Sequence, residues 1–158
     1  LDPRGPTDFN RPAKMPVDET ALAPLVQAET ATAIRAEFRK VEGQYTDPTG
    51  AQVNVTSAIV EHWLEDVKRA GRERYIPFLP SVIEDPYEIW VGFARNELTG
   101  QIYLRRRYAK AIRIGKNKYL SMVFDAIDGK WASFNAFVGN APSNDMRAGR
   151  LLWGRCWG

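Results

Sequence analysis

The sequence predicts an α+β domain in which N-terminal helices pack on an antiparallel sheet of about four strands. Three observations carry that prediction. Apolar residues in the first half recur at three-to-four spacing, at Leu22, Leu25, Val26, Ala33, Ile34 and Phe38 and again at Ile59, Val60, Trp63, Leu64 and Val67. From Glu88 onward the spacing shortens to near-alternation. Tight-turn pairs separate the alternating runs, Asp128-Gly129 being the clearest.

Taken in order, residues 1–16 are rich in Pro, Asp, Arg and Gly and read as a linker or loosely attached arm. Val17 to Lys40 reads as helical, with a break or late start at Pro24. Asp47-Pro48 and Gly50 make a turn into a short strand around Gln52–Val55. Thr56 or Ser57 then caps a helix that runs to about Arg69 and stops at Gly71. Prolines at 77, 80 and 86 confine Ile76–Glu84 to a short helical or irregular stretch. Strands follow at Glu88–Phe93, Gln101–Ile114, Tyr119–Asp125 and Trp131–Val138, with an edge strand at Leu151–Trp153.

A chain of 158 residues is most simply one domain with a dependent extension. Hydrophobic residues make up 44% and charged residues 26%, a soluble globular balance. No stretch has the apolar length of a membrane span, and no signal peptide is visible. One cysteine, Cys156, excludes an internal disulfide, and with a single histidine it argues against a zinc or haem site. No Walker loop, GxGxxG, GxSxG or HExxH is present, so no cofactor is expected. Acids in the basic half sit at turns (Glu84, Asp85, Asp125, Asp128) rather than in the cluster a two-metal nuclease centre requires.

Net charge is +3 and unevenly placed. Residues 1–45 hold six basic and seven acidic side chains, a net of −1, which leaves +4 for the remainder. The excess is focused in "QIYLRRRYAKAIRIGKNKYLSMVF", where Arg105, Arg106, Arg107, Lys110, Arg113, Lys116 and Lys118 occur without one acid. Alternation puts Ile102, Leu104, Arg106, Tyr108, Lys110, Ile112 and Ile114 on one face, and Tyr103, Arg105, Arg107, Ala109, Ala111 and Arg113 on the other. Arg106, Tyr108 and Lys110 interrupt a core-like row. Two readings stand: a twisted strand whose polar residues reach the rim, or a cleft floored by cations and a phenol and suited to a phosphodiester. In "KWASFNAF", Ser133 and Asn135 interrupt the Trp131–Phe137 face in the same way, and either can hydrogen-bond a phosphate or a ribose hydroxyl.

His62 is the only side chain with an unperturbed pKa near neutrality. It reads either as a packed residue beside Trp63 or as a general base. RNA cleavage requires a group to take the 2′-hydroxyl proton, cations for the phosphorane and a donor for the departing 5′-oxygen. His62 with Arg74, Lys110 and Ser133 makes such a set.

The segments "RERYIPFLPSVIEDPYEIW", "YLRRRYAKAIRIGKNKYLSMVFDAIDGKWASFNAF" and "MRAGRLLW" resemble a phage-associated nuclease-like domain. It is that of the barnase–EndoU–colicin–RelE-like class, found at the C-termini of phage Mu F-like head proteins and of polymorphic toxins. The resemblance spans roughly His62 to Trp153 and implies a helix-plus-antiparallel-sheet fold with metal-independent ribonuclease activity. It carries catalytic roles to His62, Arg74, Tyr108, Lys110 and Ser133. RNA contacts fall to Asn135 and Arg147 beside the basic set Arg105, Arg106, Arg107, Arg113, Lys116 and Lys118. It implies a linker and helix over 1–45 joined to a larger parent, and a toxin domain over 46–158. The expected partners are RNA, with tRNA as one candidate, met after delivery into the target-cell cytoplasm, and an acidic cognate immunity protein, with no membrane. Two alternatives are a non-catalytic module of a phage head protein that holds DNA or a partner, and an ADP-ribosyltransferase. The latter requires a catalytic Glu in a late strand, and Trp131–Val138 has none.

Overall fold

The computed structural model describes residues 4–19, 30–56, 64, 72–144 and 146–156. Helix α1 (Ala31–Val41) starts later than the expected run from Val17: Thr30 before it is extended, and residues 17–19 are not helical, Asp18 forming a bridge with Ile112. Thr30 caps it by accepting a hydrogen bond from the Ala33 amide at 3.1 Å. Ile34, Phe38 and Val41 form its buried stripe, and Arg39 and Lys40 in the last turn suit the negative end of the helix dipole. The helix expected over 57–69 lies outside the described residues except for Leu64, which packs against the core.

Strands β1 (Gly43–Thr46) and β2 (Gln52–Val55) form an antiparallel hairpin. Its turn is built by Asp47, whose Oδ1 accepts from the amides of Thr49 and Ala51 and from the Thr49 hydroxyl. A 3-10 stretch (Arg72–Phe78) leads into the short helix α2 (Leu79–Glu84), which has Pro80 in its first turn, where no amide partner is lost. Then come β3 (Glu88–Arg95), β4 (Ile102–Gly115), β5 (Lys118–Ile127), β6 (Lys130–Gly139) and β7 (Arg150–Gly154).

The sheet order is β1-β2-β6-β5-β4-β3-β7. The expected four-strand meander is present as β3 to β6, with β7 added antiparallel beyond β3. The β1–β2 hairpin joins at the far side through a single parallel pair, Asn54 with Lys130. The result is a five-stranded antiparallel sheet carrying a two-stranded flap.

Each face has its own core. On the helix face, Ile89, Tyr108, Ile112, Leu120, Met122, Phe124 and Phe134 meet α1, α2 and Val53 and Val55 of the hairpin. On the opposite face, Met15, Tyr87, Ala109, Ala111, Val123 and Met146 form a smaller cluster. Met15 belongs to the N-terminal arm, whose composition suggested loose attachment. Instead the arm is docked: Met15 is buried, Arg11 pairs with Glu88 at 2.8 Å, and Asp18 bridges to Ile112. Among the described residues no helix is long and apolar enough to cross a membrane.

Candidate nucleic-acid interface

The long strand β4 divides its basic side chains as alternation requires. Arg106 projects to the helix face, and Arg105 and Arg107 to the other. On the helix face the described residues leave the end of the sheet beyond α1 and α2 open. A cleft of about 440 Å³ lies there, floored by Val91, Leu104, Arg106 and Tyr108. The β1–β2 hairpin walls one side through Ala51, Gln52 and Val53, the Asp128-Gly129 turn closes the end, and β7 contributes Arg150, Leu151 and Leu152.

At the floor, the Asp47 carboxylate gathers five donors, three from its own turn and two from β4. Its Oδ2 accepts the Tyr108 hydroxyl and Arg106 Nη1, the latter at 3.1 Å. The same guanidinium nitrogen reaches the Thr49 hydroxyl at 2.9 Å. Burial pushes the Asp47 carboxyl up, but the hydrogen bonds from Thr49, Tyr108 and the Ala51 and Thr49 amides outweigh it and hold the pKa below the ordinary value. Tyr108 moves the other way: burial first, then its bond to the Asp47 carboxylate, raise its pKa well above that of a free tyrosine. The pair is therefore an anionic acceptor and a neutral phenol. The Arg106 side chain stays 34% exposed, so its charge faces the cleft.

Arg106 has a companion. Val91 of β3 is the register partner of Arg106 on one side and of Arg150 on the other. Register partners share a face, so the two guanidinium-bearing residues flank Val91 with Cα atoms roughly 10 Å apart. Gly149 makes that placement possible. Its φ is +112°, and a Cβ there would lie 2.7 Å from the Val91 carbonyl oxygen.

The other sequence-predicted residues are elsewhere. Lys110, expected as a catalytic cation, is buried, and its ammonium bonds the Asp85 carbonyl at 2.8 Å and the Asp85 carboxylate at 3.1 Å, with Asp18 at 3.5 Å. Arg147, expected to touch RNA, is instead fully buried. It grips Glu88 with two nitrogens, at 2.6 and 2.8 Å, and bonds Asn144 and the carbonyls of Pro12 and Ala13. Both cations tie the N-terminal arm and the loops to the sheet, which removes them from any ligand's reach.

Ser133 and Asn135 lie on the face opposite Arg106 and Tyr108. There Arg107 makes a bidentate pair with Asp125 at 2.8 and 2.9 Å, and Ser133 donates to the same carboxylate at 3.2 Å. Arg105 lies beside them with its Nε buried and unbonded. Burial and the charge of Arg107 lower its pKa. A hollow of about 280 Å³ touches Arg107, Asn135 and Phe137. Arg113 pairs with Glu19 at 2.7 Å, and Arg74, Lys116 and Lys118 are exposed away from the cleft. His62 lies outside the described residues.

Sequence reasoning missed Asp47, Thr49 and Arg150. The Asp-Pro-Thr-Gly run was legible as a turn, but nothing local marks its carboxylate as the partner of a strand sixty residues on. Among the described residues no three His, Cys, Asp or Glu side chains group to hold a metal ion.

No curated protein and no solved structure matches the chain. A family model does, that of the phage-Barnase-EndoU-ColicinE5/D-RelE like nuclease2, over residues 29–154. That match runs from just before α1 to the end of β7 and takes in every element of the cleft, so the chain belongs to this family of nuclease-like domains.

Proposed function

We propose that the domain is a metal-independent endoribonuclease, acting as a toxin, whose substrate backbone lies in the helix-face cleft over Arg106. The observation that carries this reading is the Arg106–Asp47–Tyr108 cluster, a partly exposed guanidinium fixed at the floor of the helix-face cleft. Cations held in place by prior hydrogen bonds stabilise developing phosphorane charge without reorganising. In the proposed step the ribose 2′-oxygen attacks phosphorus as its proton passes to His62, the bond from phosphorus to the 5′-oxygen breaks, and the 5′-oxygen takes a proton from water, whose hydroxide is neutralised by the proton His62 gives up. The products are a 2′,3′-cyclic phosphate and a 5′-hydroxyl end. Tyr108, held as a phenol, serves as a positioning residue for Asp47 and through it for Arg106. Lys110 has no part in this scheme, because Asp85 and Asp18 occupy it.

A second reading places the phosphate on the opposite face, along Arg105, Arg107, Ser133 and Asn135. The buried, unbonded Nε of Arg105 favours it.

The test is incubation with single-stranded RNA in EDTA, followed by analysis of the product ends. Cyclic phosphate ends that disappear in Arg106→Ala support the cleft. Binding without cleavage at any pH would make the protein a nucleic-acid-holding module instead.

A further inference from the structure

Beyond the cleft, the helix face of the β3–β4 hairpin carries apolar side chains that nothing covers among the described residues. Phe93 is 64% exposed and Leu104 58%. They are register partners, directly opposite each other, and sit one step outward from the Val91–Arg106 pair. The next outward pair is Arg95 with Ile102, both exposed. Along β3 and β4 this face therefore reads cation, apolar platform, cation: Arg106 with Arg150 across Val91, then Phe93 on Leu104, then Arg95. Each step is two residues, about 7 Å.

We infer that Phe93, backed by Leu104, is a stacking platform for a nucleobase of a single-stranded polynucleotide, with Arg106 and Arg150 taking the phosphate on one side of it and Arg95 the phosphate on the other. The inference rests on the proposed placement of the backbone in the cleft. Three features select this occupant. The platform is continuous with the cleft, since Leu104 belongs to both. It is bracketed by guanidiniums, which complement a polyanion. Its exposed element is an aromatic ring on a rigid strand, the means by which proteins hold single-stranded nucleic acid without reading sequence. Stacking of this kind tolerates any base, so the subsite sets the need for an unpaired base rather than the base's identity.

The experiment measures binding of a fluorescent RNA oligonucleotide to the wild-type protein, Phe93→Ala, Phe93→Trp and Arg95→Ala across a salt series, beside a matched oligonucleotide with an abasic position. Phe93→Ala is expected to weaken binding about tenfold. It should leave the salt slope unchanged, because no phosphate contact is lost. Phe93→Trp should restore affinity. Arg95→Ala should lower the slope of log K against log salt by about one. The abasic oligonucleotide should bind more weakly to wild type and lose less on Phe93→Ala. Equal affinity of wild type and Phe93→Ala overturns the platform while leaving the cleft reading standing. Equal losses on the intact and abasic strands would do the same. A wild-type protein that binds no single strand sinks the cleft reading itself. If wild type self-associates and Phe93→Ala is monomeric with full affinity, the patch is an interface between copies and the inference is wrong.

Discussion

The Tyr108 hydroxyl donates to Asp47 Oδ2, joining the middle of β4 to a turn that lies 61 residues earlier in the chain. With the Arg106 bonds to Asp47 and Thr49, this bond fastens the β1–β2 flap, which pairs with β6 at a single position, across the floor of the cleft. It also makes Tyr108 unavailable as a base. Because its folded pKa is raised, Tyr108 contributes stability that is complete below the ordinary tyrosine value of about 10 and is lost as pH rises through the folded value. We predict that denaturant stability falls above about pH 10 and that Tyr108→Phe flattens this fall. An unchanged alkaline slope in Tyr108→Phe would contradict the assignment.

Asp47 gives the opposite limb. Its folded pKa is depressed, so its contribution is present above the ordinary carboxylate range and is lost as pH falls through the folded value. Asp47→Asn should flatten the acid side of the stability profile. At neutral pH it should cost about 1–3 kcal/mol, since Arg106 and Tyr108 lose their shared acceptor. Urea denaturation at a series of pH values measures both effects.

Arg106 and Arg107 are adjacent in sequence and lie on opposite faces, so they decide which face reacts. With the phosphate in the helix-face cleft, Arg106→Ala should lower kcat/KM by about 10²–10³, the loss seen when one preorganised donor is removed. Arg107→Ala should cost stability by about 1–3 kcal/mol, because Asp125 is left buried without its partner, and should leave turnover nearly unchanged. The reverse pattern would move the chemistry to the strip of Arg105, Arg107, Ser133 and Asn135.

The contrast between these neighbours was legible in the sequence, because side chains in a strand alternate whatever surrounds them. So were the meander, the turns and the edge strand at Leu151, which rest on local periodicity and turn chemistry. The failures are all long-range. Lys110 and Arg147 look like free cations in an acid-poor half, yet their partners come from turns and from the first residues of β3, at Asp85 and Glu88. Arg11 and Met15 sit in a Pro- and Gly-rich stretch, and only Glu88 and the apolar cluster on that face of the sheet give them a place. Composition reports what a segment prefers alone, not what the rest of the chain offers it.

Glu88 and Arg147 are both completely buried, at 2.6 Å. Burial raises the Glu88 pKa, but the bonds from Arg147, Arg11 and Trp90 bring it below the ordinary value. Breaking one partner of such a pair strands the other charge, at a cost of about 3–5 kcal/mol. We predict that Arg147→Met lowers Tm sharply and leaves the salt slope of RNA binding intact at temperatures where it is folded. A variant of normal Tm with a reduced slope would return Arg147 to the RNA surface.

Gly149 holds the entrance to β7 in a conformation that other residues adopt only with strain, with the Val91 carbonyl where a side chain would begin. Gly149→Ala cannot satisfy both constraints, so the strand must shift or the backbone must leave its positive φ. The backbone strain alone is of order 1–3 kcal/mol. The site consequence is separable from the stability consequence, because Arg150 follows immediately and owes its place opposite Arg106 to this contact. We predict that Gly149→Ala lowers Tm and weakens RNA binding, while Arg150→Ala weakens binding with Tm unchanged. Binding should fall in both variants, with the salt slope reduced in Arg150→Ala by about one. If Gly149→Ala is destabilised but binds RNA like the wild type, β7 does not carry a phosphate contact and Arg150 plays no part in the cleft.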